Sequence, residues 1–141
     1  MRVRMVTLTF AALAIALLTG CDPTADFVFG SFDNSGHQFV IDAWSGPSGE
    51  NAQGTIKLDG ELFGTVGCLH VNGSEARVGL DLSPSLGTTA LAEITDNGDG
   101  PGDIDVIRLT PTGIAASAVC DATLEPGPSQ QGSFIVRDKP A

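Results

Sequence analysis

Two turn signals constrain this chain more than any other feature. Asp59-Gly60 and Asn72-Gly73 each join a residue tolerant of positive φ to a glycine, the pairing that a type I′ hairpin turn demands. The runs beside them alternate, so the spacing predicts an antiparallel meander over Thr55–Leu58, Glu61–Val71 and Glu75–Leu82. In the last of these, Ala76, Val78, Leu80 and Leu82 share one face, and Arg77, Gly79 and Asp81 share the other. One face of such a strand meets a core and the other meets water.

The same pattern extends in both directions. Upstream, Asp26–Phe32 carries Phe27 and Phe29 on one face, and Gln38–Trp44 sets Phe39, Ile41 and Ala43 against Val40, Asp42 and Trp44. The intervening Asp33-Asn34-Ser35-Gly36 favours a hairpin. Downstream, Ser83–Gly87 is rich in turn formers, Thr88–Thr95 alternates, Asp105–Leu109 is a further strand and Ser133–Arg137 is a closing one. Thr112–Thr123 is apolar and small; periodicity allows strand or short helix, and strand is preferred because it would bring Cys120 to Cys68 within a sheet. The expected fold is therefore all-β: a single antiparallel β-sandwich or small β-barrel of about eight or nine short strands.

The first twenty residues belong to a different class. Arg2 and Arg4 precede an apolar run from Met5 to Leu18, too short for a permanent span of ~20 residues and shaped like an export signal. Leu18-Thr19-Gly20-Cys21 resembles the lipobox of bacterial lipoproteins. That resemblance implies cleavage before Cys21, acylation of its sulfur, and attachment to a cell membrane on its extracytoplasmic side. Plain secretion, with Cys21 a chance residue, is the alternative. The chain then divides into a lipoprotein signal segment at 1–20, a lipid-anchored tether at 21–25 and one antiparallel β-domain at 26–141.

Charge narrows the partners. Seventeen acidic residues all follow Gly20 whereas two of the seven basic ones precede it, which leaves five against seventeen and a net charge of −12 from Cys21 onward. A body so acidic is repelled by nucleic acid and by anionic headgroups. The membrane, reached through the N-terminal lipid, is the expected partner; nucleic acid is not.

With Cys21 assigned to lipid, Cys68 and Cys120 form an even pair in an exported chain, and a disulfide between them is expected; two free buried thiols are the alternative. Three motifs run through the domain in order: His37 and Phe39 as H-x-F, the G-x-V-x-C-L-x-V-x-G-x-x-A-x-V series from Gly64 to Val78, and I-T-D-N-G from Ile94 leading to P-G-D at Asp103. Together they resemble the small secreted β-domains of the post-COAP type. The resemblance implies a compact antiparallel β-domain and carries over no functional residue; the segment around Cys120 departs from it.

Chemistry is sparse. Asp96, Asn97, Asp99, Asp103 and Asp105 offer four carboxylates and an amide oxygen, the hard-oxygen set that Ca²⁺ prefers. The EF-hand register fails, since Val106 falls where a bidentate acid is needed, so weak Ca²⁺ binding stands beside a glycine-rich turn whose side chains cap their own backbone. No other cofactor is expected. His37 and His70 lack a nucleophile in any recognisable frame, and Ser48 lacks the G-x-S-x-G elbow, so an enzyme is not expected. Two function classes remain: a non-enzymatic envelope lipoprotein whose domain binds or spaces something at the cell surface, and a small-ligand-binding barrel holding an apolar molecule among Phe27, Phe29, Phe39 and Trp44. Trp44 and Phe39 are the residues expected to contact such a ligand.

Overall fold

A computed structural model describes residues 25–139. Eight strands follow one another: β1 (Asp26–Asn34), β2 (His37–Ser45), β3 (Gln53–Leu58), β4 (Glu61–Asn72), β5 (Glu75–Asp81), β6 (Thr89–Thr95), β7 (Asp105–Thr112) and β8 (Ser129–Arg137). Each pairs antiparallel with the next, and β8 returns to β1, so the sheet closes into an up-and-down barrel. Of the two expected architectures it is the barrel and not the sandwich. Closure removes both sheet edges, which a meander of this length would otherwise expose.

The turns show why the hairpins form. Asp59 and Gly60 both take positive φ, at 49° and 86°, as a type I′ turn requires. Ser35 and Gly36 do the same at 54° and 82°, closing β1 onto β2. The third turn differs from expectation: Asn72 pairs with Glu75 as the last rung of the ladder, and the turn is Gly73-Ser74 with positive φ at Gly73. A glycine at the first central position alone suits a II′ turn. A short helix, α1 (Ser83–Leu86), links β5 to β6, and the Asp81 carboxylate accepts the Ser83 amide at 2.9 Å and the Ser83 hydroxyl.

The barrel interior is apolar and filled by side chains. Val28, Ile41, Ile56, Leu69, Val78, Leu80, Ile94 and Ile107 are buried in one continuous cluster. Near the β1–β2 turn the rings of Phe32 and Phe39 stack at 5.0 Å, with Phe63 edge-on to Phe39 at 5.7 Å and Phe134 6.5 Å from Phe32. Such pairs add about 0.5–1.5 kcal/mol each beyond the area they bury. The outward positions include Asp42, Lys57, Thr65, Arg77, Glu93 and Arg108, so charged and polar residues are kept to the outside of an apolar interior. That polarity is the reverse of a membrane-spanning barrel.

A bulge in β4 organises the far wall. Val66 pairs with Leu80 and Cys68 with Gly79, leaving Gly67 as the extra residue. The insertion reverses the alternation, so that Val66 faces inward with Leu80 while Cys68 and His70 face outward, opposite Gly79 and Arg77. The side of β4 that carries Cys68 and His70 is thus not the barrel core.

The expectation of a strand over Thr112–Thr123 is not met. After β7 the chain leaves the ladder, forms a single 3₁₀ turn at Val119–Asp121 and lies as a strap on the outside of β4, β5 and β6. There Val119 and Cys120 bury against Cys68 and Leu91 as a second, smaller core. The fit is close: a Cβ on Gly79 would lie 2.2 Å from the Ala116 carbonyl oxygen and 2.5 Å from Cys68 Sγ, and one on Gly67 would lie 2.7 Å from Ala116. With β8 pairing both β7 and β1 the barrel leaves no edge for this segment to join, and the bridge to the outward Cys68 holds it on the wall instead.

Candidate functional site

The expected disulfide is present. Cys68 and Cys120 are bridged across a separation of 52 residues with their Cα atoms 6.1 Å apart. Its two halves come from an outward position on β4 and from the strap, so it joins the strap to the barrel wall. Beside it the Arg77 guanidinium donates to the Ala122 carbonyl at 2.6 Å, and further along the chain the Gly127 amide donates to the Thr110 hydroxyl of β7 at 3.0 Å. Cys21, expected to carry the lipid, lies outside the described residues.

The five residues expected as calcium ligands do not converge. Asp105 is buried, and its carboxylate accepts the amides of Asn97 at 2.8 Å and Phe134 at 2.6 Å. Asp96 accepts the amides of Gly98 at 2.9 Å and Val136 at 3.0 Å. Asp103 accepts the Gly100 amide at 3.0 Å, and the Asn97 side chain donates to the Ile104 carbonyl at 2.6 Å. Carboxylate oxygens of Asp96, Asp103 and Asp105 are turned onto main-chain N–H groups, Asp99 lines an open groove at the surface, and among the described residues no three His, Cys, Asp or Glu side chains gather as a metal site. The composition of the loop pointed to hard-oxygen chemistry; what it builds is a set of Asx turns and a clasp on β8.

Trp44 and Phe39, the expected ligand contacts, occupy opposite surfaces. Phe39 packs into the core against Phe32 and Phe63, whereas Trp44 is 43% exposed. Phe29 is likewise outside, at 50% exposure, and Phe27 lies beneath the Arg137 guanidinium at 5.8 Å from the ring centre. An apolar molecule cannot be held among all four. The outward three instead form one wall: Phe27 stands opposite Trp44, and Phe29 opposite Ile135, itself 46% exposed. Ile135 was not singled out from the sequence. Its alternation with the inward Phe134 and Val136 is the signal, and pairing of β8 with β1 is what brings it beside Phe29.

The histidines sit at the surface, each beside one carboxylate. His37 Nδ1 lies 2.7 Å from Asp59, whose other oxygen accepts the Gln38 amide at 2.9 Å, so the pair ties the β1–β2 turn to the β3–β4 turn. The hydrogen bond from His37 and that from the Gln38 amide hold the Asp59 carboxyl below its usual range. His70 is 3.4 Å from Asp121 on the strap. Ser83 acts on Asp81 in the same lowering sense. Asp26 behaves oppositely: burial raises its pKa, and Asp138 and Glu50 add to the effect against the Lys139 amide, which donates to it at 2.7 Å.

Compared with known proteins, the chain matches no family model, no curated protein and no solved structure.

Proposed function

We propose that the chain is a lipid-anchored protein of the bacterial cell envelope, acylated at Cys21, whose barrel is a non-enzymatic binding or interaction body held at the membrane. The observation that carries the proposal is the Cys68–Cys120 bridge. Disulfides persist in oxidising, extracytoplasmic compartments. With these two cysteines paired, Cys21 is the one left over, and it stands at the end of the Leu18-Thr19-Gly20-Cys21 motif, where an acyl chain would be attached. A filled, closed barrel suits presentation of a surface better than enclosure of a ligand. The likeness to post-COAP-type domains, carried by turn and strand motifs, accords with such a compact secreted body.

Intact mass of the protein from its own host tests this. A chain beginning at an acylated Cys21 is the expected result, and Cys21→Ala should release the protein from the membrane fraction. An unmodified N-terminus on membrane-recovered protein would overturn the assignment.

A further inference from the structure

We propose that the outer wall formed by β8, β1 and β2 lies against the bilayer that holds Cys21, so that the barrel docks by its side and does not hang free; this rests on the anchored reading above. Three exposed large apolar side chains, Phe29, Trp44 and Ile135, stand together there, with Phe29 and Ile135 directly opposite each other in the ladder. Rings and branched chains set beside charged groups are the composition of proteins that rest in the headgroup region.

Position supplies the second argument. Phe27 and Trp44 face each other at the end of the barrel where the chain enters β1. Only Asp22 to Ala25 separate Cys21 from Asp26, a stretch that spans at most ~15 Å when fully extended. An acylated Cys21 therefore keeps this end of the wall within ~15 Å of the headgroups.

Charge supplies the third. Of the five basic residues after Cys21, Arg137 is paired opposite Phe27 and Lys57 opposite Val40, so two border the wall, and the Lys139 main chain lies at its end, donating its amide to Asp26. The other two, Arg77 and Arg108, stand on either side of Glu93 in the cross-strand ladder of β5, β6 and β7, with Arg77 Nε 3.8 Å from Glu93. Asp42 faces outward opposite Phe29, and Asp96 and Asp99 line an open groove shared with Ile135 and Arg137. Aromatic side chains interleaved with both signs of charge match a zwitterionic headgroup surface, which presents phosphate and ammonium together.

Trp44 is the chain's one tryptophan and reports on this wall directly. The ladder closes within residues 26–137, so the chain from Cys21 contains the whole barrel. With Cys68 and Cys120 bridged, its single free thiol is Cys21, which can be coupled to a maleimide lipid in phosphatidylcholine vesicles. Coupling should shift Trp44 emission to the blue and expose it to quenching by brominated lipids. The Phe29→Ser/Ile135→Ser variant, altered only at exposed positions, should stay coupled and keep its melting midpoint yet lose both effects. Emission from coupled wild-type protein identical to that of free protein would overturn the proposal. A blue shift that grows with concentration without lipid would assign the wall to a second copy, and one confined to lipid-free chain beginning at Met1 would assign it to residues 1–20; either also overturns it. Because the coupling supplies the anchor chemically, these outcomes are independent of whether the host acylates Cys21.

Discussion

The Asp105 carboxylate accepts the main-chain amide of Phe134 at 2.6 Å at the point where β7 runs out beside β8. The β7–β8 ladder has four pairs, from Asp105 opposite Gly132 to Arg108 opposite Ser129, while β8 continues to Arg137. Beyond Gly132 the amides on that edge have no β7 backbone to meet. Asp105 takes the one at Phe134, and Asp96, from the β6–β7 loop, takes the one at Val136 at 3.0 Å. Two side chains thus finish a seam that main chain leaves short, and buried N–H groups that would otherwise lack partners are satisfied.

Asp105→Ala should therefore destabilise the fold by about 2–4 kcal/mol, since it strands two amides that a charged acceptor now holds. Asp105→Asn keeps one acceptor oxygen and should cost less than half as much. Urea unfolding monitored by Trp44 emission measures both, and equal, small effects for the two variants would show that the seam closes without this clasp.

Calcium should leave the protein unchanged. Asp96, Asp103 and Asp105 already accept main-chain hydrogen bonds, so a cation would have to displace them while ordering Gly98, Gly100 and Gly102. Melting curves in millimolar CaCl₂ and in EDTA should superimpose, whereas a rise of several degrees with Ca²⁺ would restore the loop as a metal site.

Removal of the disulfide should loosen the strap more than the barrel. Closing a loop across the 52-residue separation contributes about 4 kcal/mol in the chain-entropy treatment. In Cys68→Ala/Cys120→Ala, hydrogen exchange should rise across residues 113–124, while amides of the β1–β2 ladder keep their relative protection. Uniform loss across both regions would mean that strap and barrel fold as one unit.

Gly79→Ala tests the same contact from the barrel side. The added methyl meets the Ala116 carbonyl, Cys68 Sγ and Val119 at 2.2–2.7 Å, and should cost about 1–3 kcal/mol by forcing the strap outward. Gly113→Ala, whose Cβ has nothing within 4 Å, is the control and should be close to neutral in thermal unfolding.

Acid titration should separate two carboxylates of opposite sign. Burial raises the Asp26 pKa, so the native state holds its proton more tightly than the unfolded chain, and stability falls as pH rises from 3.8 through the native value. Asp59 is lowered by His37 and Gln38, so its contribution is present above 3.8 and is lost as pH falls through the native value. In unfolding curves across the acid range, Asp26→Asn should gain relative to wild type toward neutral pH, and Asp59→Asn should remove stability that wild type has there. A pH-independent difference in either variant would contradict its assignment.

Much of the barrel was legible in local residue order. Asp59-Gly60 and the alternation of Ala76, Val78, Leu80 and Leu82 carry the hairpins because turn geometry and side-chain period are local properties, set by φ and by the pleat. The pairing of Cys68 with Cys120 could be expected once Cys21 was assigned to lipid and the chain read as exported. Closure could not: it depends on β1 meeting β8 across the length of the domain, and on bulges such as the one at Gly67 that reverse which face Cys68 presents. The same non-local pairing turned the stretch after Thr112 into an external strap, gave Asp105 and Asp96 the β8 amides of Phe134 and Val136 to hold, and placed Ile135 beside Phe29. Each of these is a contact between segments far apart in sequence, where residue type states what a side chain can do and only the assembled sheet decides what stands opposite it.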